Sequence, residues 1–312
     1  NLIKLEHKKF INRSKVPITG GFLIIFGILF LSKDITYLNK LFFILIFALG
    51  LLSDTNKLVS PKIRIFIQVL IITSYIILNN VYVNDIRVDY FNTNILDNQI
   101  LKIAFTTFCI LVLINGSNFM DGVNTLSSGY FIIIFTSILF QYYSNEVVIE
   151  TYNLELILII LLVFLIFNIF SKSFLGDGGS YLLSFYTAVY LIGLSNQNSL
   201  ISPYYIATLL WYPAFENFFS LFRRLIYRNM KIKNPDNLHL HHLLFVFFKK
   251  RFKNNKYTNT ITGTTINLFN ILIITISNYF LYKTLYLILL IAFAISTYIV
   301  IYYYLKRNIK LI

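Results

Sequence analysis

Charge is what this chain has least of. Only 13% of its 312 residues are Asp, Glu, Lys or Arg, against 57% apolar residues and a mean hydropathy of +0.70. A soluble domain carries about a quarter charged residues, so this composition points to membrane spans instead. Cysteine is nearly absent. The single Cys109 sits inside an apolar run, which excludes a disulfide framework and a thiolate metal site. The apolar stretches lack the alternation of a β-barrel, and that leaves helices as the spanning element. They also lack charged residues at mid-depth, which argues against a proton-coupled carrier. A net charge of +14 would suggest nucleic acid in a soluble protein. Here the cations cluster between apolar runs, where they orient a membrane protein, and no nucleic-acid partner is expected.

What the chain has is apolar runs. They lie near residues 20–32, 38–52, 63–79, 100–115, 125–143, 154–170, 180–195, 203–222, 262–281 and 284–305. Crossing a bilayer takes about 20 residues, so the shorter runs extend into their polar flanks. The fold expected is an all-α, polytopic transmembrane bundle of about ten spans. Alternate connections then fall on opposite sides, and 22 of the 27 Lys and Arg fall on one of them. The other five are Lys33, Lys40, Arg87, Lys102 and Lys283. By the positive-inside rule the basic side, with both ends of this chain, faces the cytosol. Four acids of that side, Asp54, Asp121, Asp177 and Glu216, stand at span ends beside apolar residues. An ionisable group there is costly to keep and is a functional candidate.

Four segments carry chemistry. Gly50-Leu51-Leu52-Ser53-Asp54 leaves a span and is followed by Lys57, Lys62 and Arg64, cations suited to phosphate; read blandly, it only sets topology. Asn115, Asn118, Asp121 and Asn124 recur at every third residue, which predicts one polar stripe on a helix. Two amides and a carboxylate suit sugar hydroxyls or the water shell of a hard cation. Phe174-Leu175-Gly176-Asp177-Gly178-Gly179-Ser180 precedes an apolar helix. It places an acid and a close-approach backbone where anions and Mg²⁺ bind, although taken alone it also reads as a helix cap. It is no Walker motif, lacking Gly-Lys-Ser/Thr, and no strand precedes it as in a dinucleotide fingerprint. In Asn234-Pro235-Asp236-Asn237-Leu238-His239-Leu240-His241-His242, a His-Glu-x-x-His zinc pattern is absent. Histidines near Arg223, Arg224 and Arg228 read better as phosphate contacts.

Taken in chain order, these segments resemble the polyprenyl-phosphate N-acetylhexosamine-1-phosphate transferases, of glycosyltransferase 4 type. His7-Lys8-Lys9 with Val16-Pro17-Ile18-Thr19-Gly20-Gly21 is similar to that family's first basic segment, and Gly50 to Gln68 to its acidic loop. Asn115 to Leu126 is similar to its Asn-x-x-Asn-x-x-Asp-Gly segment, and Phe174 to Ser180 to Phe-x-Gly-Asp-x-Gly-Ser. Tyr212-Pro213-Ala214-Phe215-Glu216 with Arg223-Arg224, Asp236 and His239-Leu240-His241-His242 is similar to its last cytosolic loop. His-x-His-His and Pro-x-x-Gly-Gly look more like the undecaprenyl-phosphate α-N-acetylglucosaminyl 1-phosphate branch, which initiates O-antigen, than the pentapeptide-transferring branch. Two positions depart from the pattern. Ser53 stands where the family has the first of two adjacent aspartates, and Asn124-Thr125 where it often has a second Asp-Gly.

The resemblance implies one integral-membrane transferase domain over residues 1–312, with a further span before the first basic segment and so 11 in the complete protein. It implies a UDP-N-acetylhexosamine donor, an undecaprenyl phosphate acceptor, and Mg²⁺ or Mn²⁺ as cofactor. Asp54, Asp121 and Asp177 are the implied catalytic residues, with Asp177 and Asp121 on the metal. Asn115, Asn118, Lys57, Arg224, His239, His241 and His242 are the implied substrate contacts. At position 53, a serine hydroxyl is expected to donate a hydrogen bond to the acceptor phosphate. The implied location is the bacterial inner membrane with the site on the cytosolic face, serving lipopolysaccharide or cell-wall biogenesis; a second copy of the chain is a candidate partner. A transporter would require broken spans and an internal repeat, and the sequence shows neither. A relative acting as an inactive scaffold stays open because of Ser53.

Overall fold

Inside a bilayer the backbone of a chain this apolar must satisfy its own polar groups, and helices do so within one segment. The computed structural model describes residues 16–226, 238–252 and 257–309. Among these residues there is no β-strand, only helices and one isolated bridge between Ile18 and Phe174. The helices are α1 (Gly20–Phe26, continued by a π-turn at Gly27–Leu31), α2 (Tyr37–Asp54), α3 (Pro61–Asn79), α4 (Gln99–Met120, preceded by a single helical turn at Asp89–Phe91 and a π-turn at Asn92–Leu96), α5 (Leu126–Tyr143) and α6 (Tyr152–Ile169). They continue as α7 (Gly176–Gln197), α8 (Pro203–Leu209), α9 (Trp211–Ile226), α10 (Leu240–Arg251), α11 (Thr258–Asn278) and α12 (Thr284–Asn308). Local chemistry sets the starts. Thr36 caps α2 through Asn39 N, Asn98 caps α4 through Ile100 N and Leu101 N, and Pro61 and Pro203 open α3 and α8.

Seven helices, α2 to α6 with α11 and α12, are long and apolar enough to cross a membrane. Each answers an expected span. The three remaining expected spans differ, each for its own reason. Gly20–Leu31 is apolar but short, about 18 Å at the helical rise per residue. The run at 180–195 belongs to α7, a helix buried in protein at every residue from Gly176 to Ala188. Two of its hydroxyls bond back to the preceding turn, Ser184 Oγ to Ser180 O at 2.6 Å and Thr187 Oγ1 to Leu183 O at 2.7 Å, which lets the helix carry polar residues in the interior.

The run at 203–222, read from sequence as one unbroken span, is broken at Leu210 into α8 and α9. Pro213 has no N–H for the carbonyl four residues back, that of Leu209. The Tyr130 hydroxyl supplies the missing donor at 2.8 Å and accepts from Tyr212 N at 3.4 Å. A broken span is therefore present after all, with its freed carbonyl satisfied by a buried side chain.

Around α7 pack α1, α2 and α4. The α2–α7 contact is glycine on glycine: a Cβ on Gly50 would lie 2.5 Å from Gly178 Cα. That approach brings the C-terminal end of α2 against the N-terminal end of α7. A second assembly, α5, α6 and α11, holds the loop between α4 and α5. Asn168 Oδ1 accepts from Thr125 N at 2.6 Å and Asn168 Nδ2 donates to Ser173 O at 2.9 Å. Asn267 Nδ2 donates to Thr125 O at 2.8 Å. This loop corrects the predicted stripe. Helix α4 stops at Met120, so Asn115 and Asn118 are helical while Asp121 is the C-cap and Asn124 lies beyond it.

Candidate active site

Polar segments far apart in sequence meet at one end of the bundle. Asp177, in the first turn of α7 and buried, is where most of them touch. Ser53 Oγ, from the end of α2, donates to Asp177 Oδ2 at 2.6 Å. Arg64 Nη1, from the second turn of α3, donates to the same serine oxygen and lies 3.5 Å from Asp177 Oδ2. Asn118 Nδ2, from the last turn of α4, donates to Asp177 Oδ1 at 2.8 Å. Asp54 is 1% exposed, and its Oδ2 accepts from Gly178 N at 3.1 Å, one of the N-terminal amides of α7. A carboxylate there gains from the positive end of the helix dipole. Two acids and a guanidinium thus occupy one helix junction.

The first segment joins the same end. Gly20 N donates to Phe174 O at 3.1 Å and Phe174 N to Pro17 O at 3.0 Å, while Thr19 and Ser173 share a hydroxyl bond of 2.6 Å. The histidine tract arrives from the other side. A Cβ on Gly122 would stand 2.2 Å from His241 Nε2 and 3.2 Å from His242 Nε2, so only glycine beside Asp121 leaves room for the imidazoles. His239 Nδ1 lies 2.9 Å from Glu216 Oε1, and the His239 ring packs 5.3 Å from Phe119. The Tyr298 hydroxyl donates to Glu216 Oε2. Glu216 thereby orients His239, with both buried in the protein.

Not every residue singled out from sequence sits in this cluster. Asn115 turns to α3, donating to Gln68 Oε1 at 3.2 Å, and so braces two helices. Asn124 is buried at the loop, its Nδ2 2.6 Å from Ser171 Oγ and its N–H on Asn259 Oδ1 at 3.2 Å. It serves the loop's shape. Lys57 is exposed on the turn after α2, and the cation beside Asp177 is Arg64. Arg224 is half-buried on α9, while its neighbour Arg223 is buried and donates to Leu238 O at 2.7 Å and to the Tyr302 hydroxyl at 3.2 Å. Ser53, expected to donate to an acceptor phosphate, here donates its hydrogen to Asp177. His7, Lys8, Lys9, Arg228 and Asp236 lie outside the described residues.

Sequence reasoning gave no distinct role to Arg64, Glu216 or Tyr298. Arg64 was visible only as one of three cations after Asp54. Pro61 starts α3, and the packing of that helix against α2 and α4 brings Arg64 within reach of α7.

The donor set is one of hard oxygens, and it suits magnesium better than zinc. Among the described residues no three His, Cys, Asp or Glu side chains form a ready cage. Mg²⁺ typically takes only one or two carboxylates and completes its shell with water and substrate phosphates, so Asp177 with a second acid fits it.

A family model described as Glycosyl transferase family 4 matches residues 37–195, from α2 to the end of α7 and a little over half of the chain. The matched stretch contains Ser53, Asp54, Arg64, Asn118, Asp121 and Asp177; the histidine tract lies beyond it. No curated protein matches the chain.

Proposed function

The chain belongs to glycosyl transferase family 4 and is a membrane-embedded transferase of the polyprenyl-phosphate sugar-phosphate type; from that premise we propose that it moves a sugar 1-phosphate from a UDP-N-acetylhexosamine to undecaprenyl phosphate. The acceptor phosphate oxygen attacks the β-phosphorus of the donor. The bond from that phosphorus to the bridging oxygen breaks, and the products are polyprenyl-diphospho-sugar and UMP. The observation that carries this reading is Asp177, touched by Ser53, Arg64 and Asn118 from three other helices.

At neutral pH a phosphate monoester is largely dianionic, since its second pKa is about 6. The acceptor therefore reaches the site as a nucleophile and needs no carboxylate base. The work left for the protein is positioning and charge compensation, as in other phosphoryl transfers. Asp177 with Asp121 would hold Mg²⁺ or Mn²⁺, which when bound offsets the negative charge of the pyrophosphate. Arg64 adds a fixed positive charge at the same junction. His241 and His242, packed against the Asp121-Gly122 turn, and His239, oriented by Glu216, face the donor phosphates. Lys57 and Arg224 supply positive charge around the entrance.

A lipid acceptor is supported by an open, largely apolar groove of 560 Å³ between α9 and α12, lined by Phe215, Phe218, Phe222, Ile299 and Tyr303. Arg223 and Lys306 line it too, near the end that carries the histidines, which suits an isoprenoid tail ending in a phosphate. The test is UMP release by purified protein with Mg²⁺, undecaprenyl phosphate and a panel of UDP-N-acetylhexosamines. Release with at least one donor, dependent on the lipid, is expected; silence across the panel would defeat the proposal.

A further inference from the structure

At the end of the bundle opposite Asp177 lies a second cavity, of 290 Å³. Helix α2 connects the two ends: Asn39, in its first turn, lines this cavity, and Asp54 closes the helix at the site, roughly 22 Å away along the axis. The wall is aromatic. Tyr186 and Tyr190 stack at 6.1 Å, and Phe43 packs 5.8 Å from Tyr186. The rim carries two carboxylates, Asp34 and Glu150, and the described lining residues include no Lys or Arg, in a chain whose net charge is +14.

Both carboxylates ride on pinned backbone. Beside Asp34, Asn153 accepts from Lys33 N at 3.0 Å and donates to Lys33 O at 2.7 Å. Near Glu150, Asn198 makes the same two-way clamp on Val148, at 2.8 and 3.0 Å. The Tyr190 hydroxyl holds Glu150 O at 3.1 Å.

Two polar atoms of this lining are buried without a hydrogen-bond partner: the hydroxyl of Tyr186, a residue only 5% exposed, and Asn39 Oδ1. Buried polar atoms are nearly always paired. The unmet demand is mostly for a donor. Asn39 Oδ1 and both carboxylates accept only, and aromatic faces attract positive charge. The protein's own nearby ammonium groups are engaged elsewhere, Lys40 Nζ on Leu29 O at 2.9 Å and Lys33 Nζ over the Tyr152 ring at 4.3 Å.

We propose that this cavity binds a primary ammonium group, supplied by a small free amine or by the headgroup of an ethanolamine phospholipid. A neutral polyol would pair the hydroxyl and the amide but leave both carboxylates without a counter-charge.

The test has two arms and reads binding, so it is independent of transferase activity. In the first, putrescine is titrated calorimetrically into purified protein in a polyoxyethylene detergent, with glucose as the neutral comparison. In the second, native mass spectrometry follows lipid retained by protein taken from bilayers of equal phosphatidylethanolamine and phosphatidylglycerol. The expected result is saturable binding in at least one arm, without glucose binding. Binding in the first arm alone identifies a free amine, and retained phosphatidylethanolamine identifies a headgroup. Asp34→Asn with Glu150→Gln should weaken it at least tenfold. Tyr186→Phe, which removes one oxygen and keeps the packing, should weaken it severalfold. The proposal is overturned if neither arm shows binding, if glucose binds as well as the amine, or if the double variant binds like the natural chain.

Discussion

Ser53 Oγ lies 2.6 Å from Asp177 Oδ2 and donates to it, while Arg64 donates to the serine oxygen and itself stands 3.5 Å from Asp177 Oδ2. A neutral hydroxyl therefore bonds both a cation and the central acid, which also meet directly, where the resemblance puts a carboxylate. Because the acceptor brings its own nucleophile, the natural chain should be active. Ser53→Asp would set two carboxylates side by side, with Arg64 available to both, and turnover should change by less than about tenfold, or about 1.4 kcal/mol of barrier. UMP release by the two proteins, measured in parallel, decides it. A silent natural chain switched on by Ser53→Asp would mark it as a degenerate relative.

Asp177→Asn keeps the shape and one acceptor oxygen, enough for Asn118 Nδ2, but removes the charge and the oxygen that takes the Ser53 hydroxyl. Turnover should fall by roughly a hundredfold or more, as when a preorganised charge is deleted. Thermal unfolding of the same variant separates this from a purely structural role. A near-unchanged midpoint with lost turnover is expected, whereas lost stability with preserved specific activity would make Asp177 only a tie between helices.

Gly122→Ala asks whether the histidine tract belongs to the donor site. The added Cβ falls 2.2 Å from His241 Nε2, so the imidazole has to move. KM for the UDP-sugar should rise more than kcat falls, because the acids on α2 and α7 are untouched. Steady-state kinetics with varied donor gives the split. Unchanged KM would remove the histidines from donor recognition.

Asn168→Ala tests the loop. It strands Thr125 N and Ser173 O in the interior, and each unpaired buried group costs about 1–3 kcal/mol. A clear drop in thermal stability in detergent is expected, and an unchanged midpoint would show that other groups take over these bonds.

The sequence made the helices legible wherever an apolar run was long, because a bilayer admits one solution for such a run. The break at Leu210 was foreshadowed by Pro213, but a proline near the start of a helix is ordinarily harmless, and only Tyr130 shows that this one ends a helix. Helix α10 was hidden because its short apolar stretch, Leu243 to Phe248, lies among charges. In the site, Asp54, Asp121 and Asp177 stood out by their cost at span ends. Asn118 was found as part of a stripe that the structure cuts short at Met120. Which cation meets Asp177 depends on the packing of α3 against α2 and α4, and spacing alone could not separate Arg64 from Lys57.

Orientation follows from charge placement and is read by thiol labelling after Cys109→Ser, which removes the only native thiol. Asn56 and Asn145 are both exposed, at opposite ends of the bundle. In bacterial cells the variant Asn145→Cys should react with an impermeant maleimide when cells are intact, and Asn56→Cys only after the inner membrane is opened. The reverse pattern would put Asp177 on the side without nucleotide sugars.

The most direct test of the central claim follows the β-phosphorus itself. Protein in undecaprenyl phosphate-containing membranes is given UDP-N-acetylhexosamine labelled at the β-phosphate, and the lipid and nucleotide fractions are separated. The account predicts label in the lipid together with stoichiometric unlabelled UMP, both lost in Asp177→Asn. Labelled UDP in the nucleotide fraction, with sugar but no label on the lipid, would contradict it, because the protein would then be cutting the sugar–phosphate bond.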